Sequence, residues 1–260
     1  MKWTTKEIDT LIKYYGKIPA KDMPINRTPG AIRIMASYLG LKGKTRHNNV
    51  NDNFFESVNN ISSYYAGIIA ADGCIQNDRK SKILTLSMTD KEILDSFKRD
   101  IKYTGTIKTA IRYKNDKKCK DIYTIRIYSD KICDDLFNIW SITSKKSYTL
   151  QPPNILNEDC RLSFIIGLID GDGTIRRRSD SDSPIIAYCG TYSMVKWFCD
   201  NLGIKNKITY SKISVNNHSV RINGRNAYPI LKKLYEVKTP HKLSRKWDLA
   251  KYFINKYDKE

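Results

Sequence analysis

Apolar positions along the chain recur with two periods, one near 3.6 residues and one of two, and their order predicts the elements. Near the start, Ile8, Leu11, Ile12 and Tyr15 follow Thr4 and Thr5 at helical spacing, and Ile32, Ile34, Met35 and Leu39 follow Arg27-Thr28-Pro29. A threonine before such a run caps a helix by accepting from backbone N–H groups that have no partner within it. Proline at the first helical position removes a donor that would be unpaired anyway. Pro19 and Gly40 end these two helices, and residues 20–26 between them carry only a weak helical pattern. Residues 47–53 are polar and asparagine-rich without periodicity, and read as linker.

Beyond the linker, an apolar helix is expected over residues 63–71, a turn-rich stretch from Gly73 to Lys82, and a strand over 83–88. A helix carrying Ile93, Leu94, Phe97 and Ile101 follows, then alternating runs over 106–113 and 122–128 that flank a polar turn, then a helix over 130–139. Gln151-Pro152-Pro153 breaks the pattern, and the same order restarts. Strands are expected at 174–178, 185–190, 207–214 and 219–222, and helices at 193–202 and 227–235. A final helix at 243–256 has no counterpart. The pattern predicts an α+β fold of two αββαββα halves related by a pseudo-twofold axis, preceded by a small all-α domain. The expected boundaries are 1–46, a linker at 47–59, and halves at 60–152 and 153–260.

The restart is visible in the residues themselves. Tyr65-Ala66-Gly67-Ile68-Ile69-Ala70-Ala71-Asp72-Gly73 returns one hundred positions later as Ile165-Ile166-Gly167-Leu168-Ile169-Asp170-Gly171-Asp172-Gly173. Glycine inside a helix costs about 1 kcal/mol relative to alanine, so Gly67, Gly167 and Gly171 point to close helix packing. Asp72 and Asp172 sit at helix C-termini, where an anion meets the negative end of the macrodipole. A bound cation would reverse that penalty.

Charge narrows the partners. With 46 Lys and Arg against 27 Asp and Glu, the net charge of +19 favours a polyanion. No apolar run reaches the roughly 20 residues of a membrane helix, and no signal peptide is seen at Met1, so an intracellular protein without a membrane partner is expected. Cys74, Cys119, Cys133, Cys160, Cys189 and Cys199 form no Cys-x-x-Cys pair, which argues against structural zinc and for reduced thiols.

Two resemblances attach to these residues. Trp3 and the Arg27-to-Ile32 segment resemble the small helix-turn-helix modules of the Myb/SANT type. Residues 1–46 hold ten Lys and Arg against three acids, and Arg27, Arg33, Lys44 and Arg46 are its candidate phosphate contacts. The paired motifs of residues 60–250 resemble those of single-chain LAGLIDADG homing endonucleases. That resemblance implies a monomeric enzyme of intron homing whose motif helices form the interface between halves and whose last acids hold divalent metal at the scissile phosphates. The carried-over ligands are the Asp72 and Asp172 carboxylates and the Ala71 and Gly171 carbonyls. Mg²⁺ or Mn²⁺ is the implied cofactor, with Ca²⁺ as a non-cleaving substitute. Basic residues near the end of each half are implied to position water, and Lys146 and Lys242 occupy that place when Thr143-Ser144-Lys145-Lys146 is matched to Thr239-Pro240-His241-Lys242.

The chemistry agrees with this reading. Phosphodiester hydrolysis needs a nucleophilic water and neutralisation of the charge that develops on the phosphate and the leaving oxygen. A hard ion held by oxygen ligands serves all of these needs. The strands are expected to read double-stranded DNA, since a two-stranded ribbon fits the major groove. Their polar phase offers Gln76, Asp78, Lys80, Lys108, Arg112, Thr124, Arg126 and Tyr128, then Arg176, Arg178, Thr209, Ser211, Arg221 and Asn223. Two alternatives accompany this expectation, an RNA-splicing maturase that binds structured intron RNA and a non-cleaving DNA-binding regulator of the same fold.

Overall fold

The computed structural model describes residues 2–41, 48–77, 81–114, 117–210 and 217–259. The chain divides into two compact units, Met1–Asn49 and Val50–Glu260. In the smaller unit, α1 (Thr5–Tyr14) opens with a capping box between Thr4 and Glu7, and α2 (Pro29–Tyr38) opens with Thr28 accepting from the Ala31 N–H. A single 3₁₀ turn, Ala20–Asp22, stands where the sequence pattern was weak. Leu11, Met23, Ile25, Ile32 and Ala36 form its core. Arg27 forks onto Glu7 at 2.8 and 3.1 Å and lies 5.2 Å from the Trp3 ring, so this candidate phosphate contact is engaged within the unit, whereas Arg33 is exposed.

The larger unit is a duplicated α+β fold. Its first half runs α3 (Asn60–Asp72), β1 (Gly73–Asn77), β2 (Lys82–Met88), α4 (Lys91–Asp100), β3 (Lys108–Ala110), a small hairpin of β4 (Tyr113–Lys114) and β5 (Lys117–Lys118), β6 (Ile122–Tyr128) and α5 (Asp130–Asn138). After the short α6 (Lys146–Thr149), the second half runs α7 (Glu158–Gly171), β7 (Thr174–Arg177), β8 (Pro184–Gly190), α8 (Tyr192–Leu202), β9 (Thr209–Tyr210), β10 (His218–Asn223) and α9 (Tyr228–Glu236), and α10 (Ser244–Tyr257) closes it. The two sheets are antiparallel and have matching orders, β1-β2-β6-β3 and β7-β8-β10-β9.

Two segments differ from the sequence expectation. Gly73–Asn77, expected to be turn, is strand β1 and pairs with β2 from Gly73↔Leu86 to Asn77↔Lys82. Its only side chain in the core is Ile75, too little to show alternation. Within residues 47–59, expected to be linker, Phe55 is fully buried and its carbonyl accepts from the Trp140 indole at 3.0 Å. No helix among the described residues is long and apolar enough to cross a membrane.

The motif helices α3 and α7 are buried along nearly their whole length, which explains why neither shows an amphipathic stripe. They meet backbone to backbone. A methyl group placed on Gly67 would lie 2.2 Å from the Phe164 carbonyl oxygen, and one on Gly167 would lie 2.1 Å from that of Tyr64. No flexible side chain could yield to relieve either clash. Close packing of the two helices thus outweighs the propensity cost of their glycines.

Candidate active site

Both motif helices end in acid. Asp72 is the last residue of α3, and Asp172 caps the C-terminus of α7. The sheets start there as well, with β1 at Gly73 and β7 at Thr174. A methyl on Gly171 would meet the Ala71 methyl at 2.3 Å and Asp72 Oδ2 at 3.3 Å. Alanine in one copy therefore requires glycine in the other, a physical reason for the Ala71/Gly171 asymmetry. Burial and the nearby Asp172 charge push the Asp72 carboxyl up to about 6, and burial also raises Asp172. Among the described residues neither carboxylate receives a hydrogen bond, although Lys146 and Lys246 lie close enough to act on both electrostatically.

Those ammonium groups go to backbone oxygen instead. Lys146 donates to the Ala70 carbonyl at 2.8 Å and makes a close contact with that of Ala71. Lys246, only 4 % exposed, donates to the carbonyls of Ile169 (2.6 Å), Asp170 (2.9 Å), Gly173 (2.8 Å) and, at 3.5 Å, Gly171. Each lysine thus satisfies C-terminal carbonyls that lack partners within the helix and offsets the negative end of its dipole. Burial lowers the pKa of both, opposed by the nearby carboxylates. The two expected carbonyl ligands, Ala71 and Gly171, are therefore the oxygens these ammonium groups approach.

Lys242, expected to match Lys146, lies elsewhere. It precedes α10 and donates to the carbonyls of Tyr235 and Val237 at the end of α9, and burial brings its pKa down to about 8. The counterpart of Lys146 is Lys246, which sequence reading missed. The signal was present, because the 100-residue offset that carries Asp72 to Asp172 also carries Lys146 to Lys246. Matching the Thr143 and Thr239 segments uses an offset of 96 and lands four residues short.

Asp170, which Ala70 replaces in the first copy, is 1 % exposed and accepts three hydrogen bonds. They come from the Tyr64 hydroxyl (3.0 Å), the Leu243 N–H (2.9 Å) and the Trp247 indole (2.7 Å). It is a fastening point between α3, α7 and α10. Arg245 pairs with Asp90 of the first half at 2.8 Å, and His241 Nε2 lies 2.7 Å from Asp100, so the first turn of α10 and the segment before it are tied to the opposite half.

Residues 59–140 match the family model of the LAGLIDADG-like domain. That match falls within the first half. The fold extends through the duplication. A homing endonuclease, I-WcaI, bound to its DNA recognition sequence superposes with a TM-score of 0.53 at 13 % identity, covering 75 % of this chain and 90 % of that one. A mutant of I-SmaMI gives 0.50 at 14 %, covering 77 % and 92 %. At these identities the likeness establishes the fold. An uncharacterised protein of Methanocaldococcus jannaschii is 26 % identical over 117 residues, which span 44 % of this chain and 41 % of that protein.

In both halves the polar strand phase lies on one sheet face, opposite the core. The pairings Cys74–Thr85–Arg126 and Gln76–Ile83–Tyr128, with Ser87–Thr124–Lys108 beside them, form rows across the first sheet. Thr174–Ala187–Arg221, Arg176–Ile185–Asn223 and Cys189–Ser219–Thr209 form rows across the second. Gln76, Lys108, Arg126, Tyr128, Arg176, Thr209, Arg221 and Asn223 are exposed there. Thr124 is half-buried and shares a hydrogen bond with Ser87, as Thr209 does with Ser219. Arg112 is exposed beside β4, off the rows. Arg178 follows β7 and forks onto Asp180 at 2.7 and 2.5 Å, an internal pairing unlike the free base-reading group expected of it. Lys44, Arg46, Asp78, Lys80 and Ser211 lie outside the described residues.

Proposed function

We propose that the chain is a site-specific endonuclease that hydrolyses one phosphodiester on each strand of a long double-stranded DNA target. The observation that carries this reading is the pair of carboxylates, one from each half, that end two crossed helices and receive no hydrogen bond from the described residues while two lysines beside them turn to carbonyls. Such acids suit a hard divalent ion, Mg²⁺ or Mn²⁺. No group of three or more His, Cys, Asp or Glu gathers among the described residues, so protein side chains alone supply an incomplete shell that backbone carbonyls, water and phosphate oxygens would complete. Asp72 and Asp172 would hold the ion. When bound, it would neutralise charge on the phosphate and lower the pKa of a water.

The remaining parts follow from the chain. Lys146 and Lys246 fix the helix ends and keep two positive charges beside the scissile region. The crossing at Gly67 and Gly167 sets how far apart the two acids stand, and the sheet faces bind the grooves on either side. The smaller unit, through Arg33 and the residues around it, lengthens the contact. Support for DNA rather than another polyanion comes from the fold shared with the DNA-bound I-WcaI and from the net charge of +19.

The test uses duplex DNA joining the sequences that flank the chain's own gene, incubated with Mg²⁺. The wild-type chain should cut both strands, while Asp72→Asn and Asp172→Asn should lower cleavage about 10³-fold or more and leave binding nearly unchanged. Full cleavage by both variants would overturn the proposal. Binding without cleavage by the wild type would favour the non-cleaving regulator.

A further inference from the structure

Apart from Arg112, which lies off the sheet rows, and Arg225, which lies 5.7 Å from the Tyr257 ring, the described arginines of the larger unit fall into two groups. Arg99, Arg161, Arg177, Arg178 and Arg245 each have an acceptor within the protein, in the order Asp100, the Ile155 carbonyl, Asp182, Asp180 and Asp90. Arg126, Arg176 and Arg221 have none among the described residues, and all three project from the sheet face opposite the core. A guanidinium presents a rigid fork of donors, and three of them left open on one kind of surface form a recognition surface.

Strand register makes two of the three equivalent. Cys74 lies two residues after Asp72, pairs with Thr85, and Thr85 pairs with Arg126. Thr174 lies two residues after Asp172, pairs with Ala187, and Ala187 pairs with Arg221. Arg126 and Arg221 thus hold the same place in the strand order and the same row, the row that begins two residues after each acid. The next row outward is equivalent in place and different in chemistry, with Gln76, Ile83 and Tyr128 in one half and Arg176, Ile185 and Asn223 in the other. Ile83 and Ile185 are 3 % and 5 % exposed and outside the core cluster.

We infer that the DNA target carries guanine at two positions related by its local dyad, read in the major groove by Arg126 on one half-site and Arg221 on the other, and that this symmetry is lost one row outward. Arginine donates two hydrogen bonds to guanine O6 and N7, whereas glutamine pairs with adenine. Gln76 against Arg176 therefore specifies different bases at matched outer positions. The inference rests on the endonuclease reading and adds to it the form of the site.

Selection of the full chain on a randomised duplex library in EDTA tests it without cleavage. The enriched sequence should show dyad-related guanines nearest the centre and no such symmetry further out. Arg126→Ala should weaken the guanine preference in one half-site by roughly 5- to 150-fold and leave the other intact, and Arg221→Ala should do the reverse. Arg126→Lys keeps the charge and removes the fork, so it should lose the guanine preference while holding most of the affinity. An enriched site without the paired guanines, or variants that bind all sequences uniformly less well, overturns this inference and leaves the endonuclease intact. Binding with no enriched sequence overturns both.

Discussion

The two ends of the motif helices face the same physical problem and solve it differently. Each has C-terminal carbonyls without partners and a carboxylate added to the negative end of a dipole. In the first half one lysine from the four-residue α6 meets two carbonyls, beside the uncharged pair Ala70-Ala71. In the second half Lys246 meets several carbonyls from the fourteen-residue α10, and Asp170 draws Tyr64, Leu243 and Trp247 into the same knot. Two copies of one fold therefore differ less in their terminal acids than in how firmly the surrounding chain holds them. The loosely held end has the more open lysine, and the tightly held end has a buried one.

Three experiments bear on that contrast. The largest effect is expected from Asp170→Ala, which strands three buried donors and should cost about 3 to 5 kcal/mol in urea denaturation. Ala70→Gly at the matched place should cost about 1 kcal/mol. A cost for Asp170→Ala near that smaller figure would show that the knot carries no stability.

Next come Lys246→Met and Lys146→Met. Loss of charged hydrogen bonds should destabilise the first by about 2 to 3 kcal/mol and the second by about 1 kcal/mol. Each variant should also slow cleavage of one strand more than the other, and gels labelled on either strand separate the two rates. Equal slowing of both strands by both variants would show that the two lysines serve both strands alike.

The smallest effect is in pH. The Asp72 proton is held to about pH 6 in the folded chain against an ordinary value of 3.8. The folded state therefore binds this proton more tightly than the unfolded state, and its contribution to stability is lost as pH rises towards 6. Metal-free protein taken from pH 7 to pH 5 should gain about 1 kcal/mol from this group, less than the full shift because the carboxyl is half open to solvent. Asp72→Asn should remove that gain and leave the share of Asp170, also raised to about 6 by burial. Identical pH profiles for the variant and the wild type would place the shift elsewhere.

Much of this organisation was legible before any coordinates. The repeated glycines and aspartates showed the paired helices, because only backbone-close packing accounts for glycine inside an apolar helix. The strand phases showed the polar face of each sheet, because alternation is strong wherever one face is buried. Strand β1 escaped, since Gly73-Cys74-Ile75-Gln76-Asn77 buries one large side chain and leaves no pattern to read. Phe55 escaped for the opposite reason, as a core anchor that, with the partly buried Val50 and Phe54, lies within a polar stretch. Lys246 escaped because the matched threonine segments suggested one alignment and the motif another, and only packing shows that the first turn of α10 faces the end of α7. The internal pairings of Arg27 and Arg178 could not be inferred from charge alone, since exposure and pairing are decided by neighbours distant in sequence or across a turn.

The position of Lys246 has a consequence in time. A chain emerging in order from its N-terminus has all the residues of the first acid–lysine arrangement once Lys146 is free to fold. The second waits another hundred residues, until α10 can swing its lysine and Trp247 onto α7. Between those moments the nascent protein holds one fastened helix end and one loose one, and only the arrival of α10 completes the second acid–lysine arrangement.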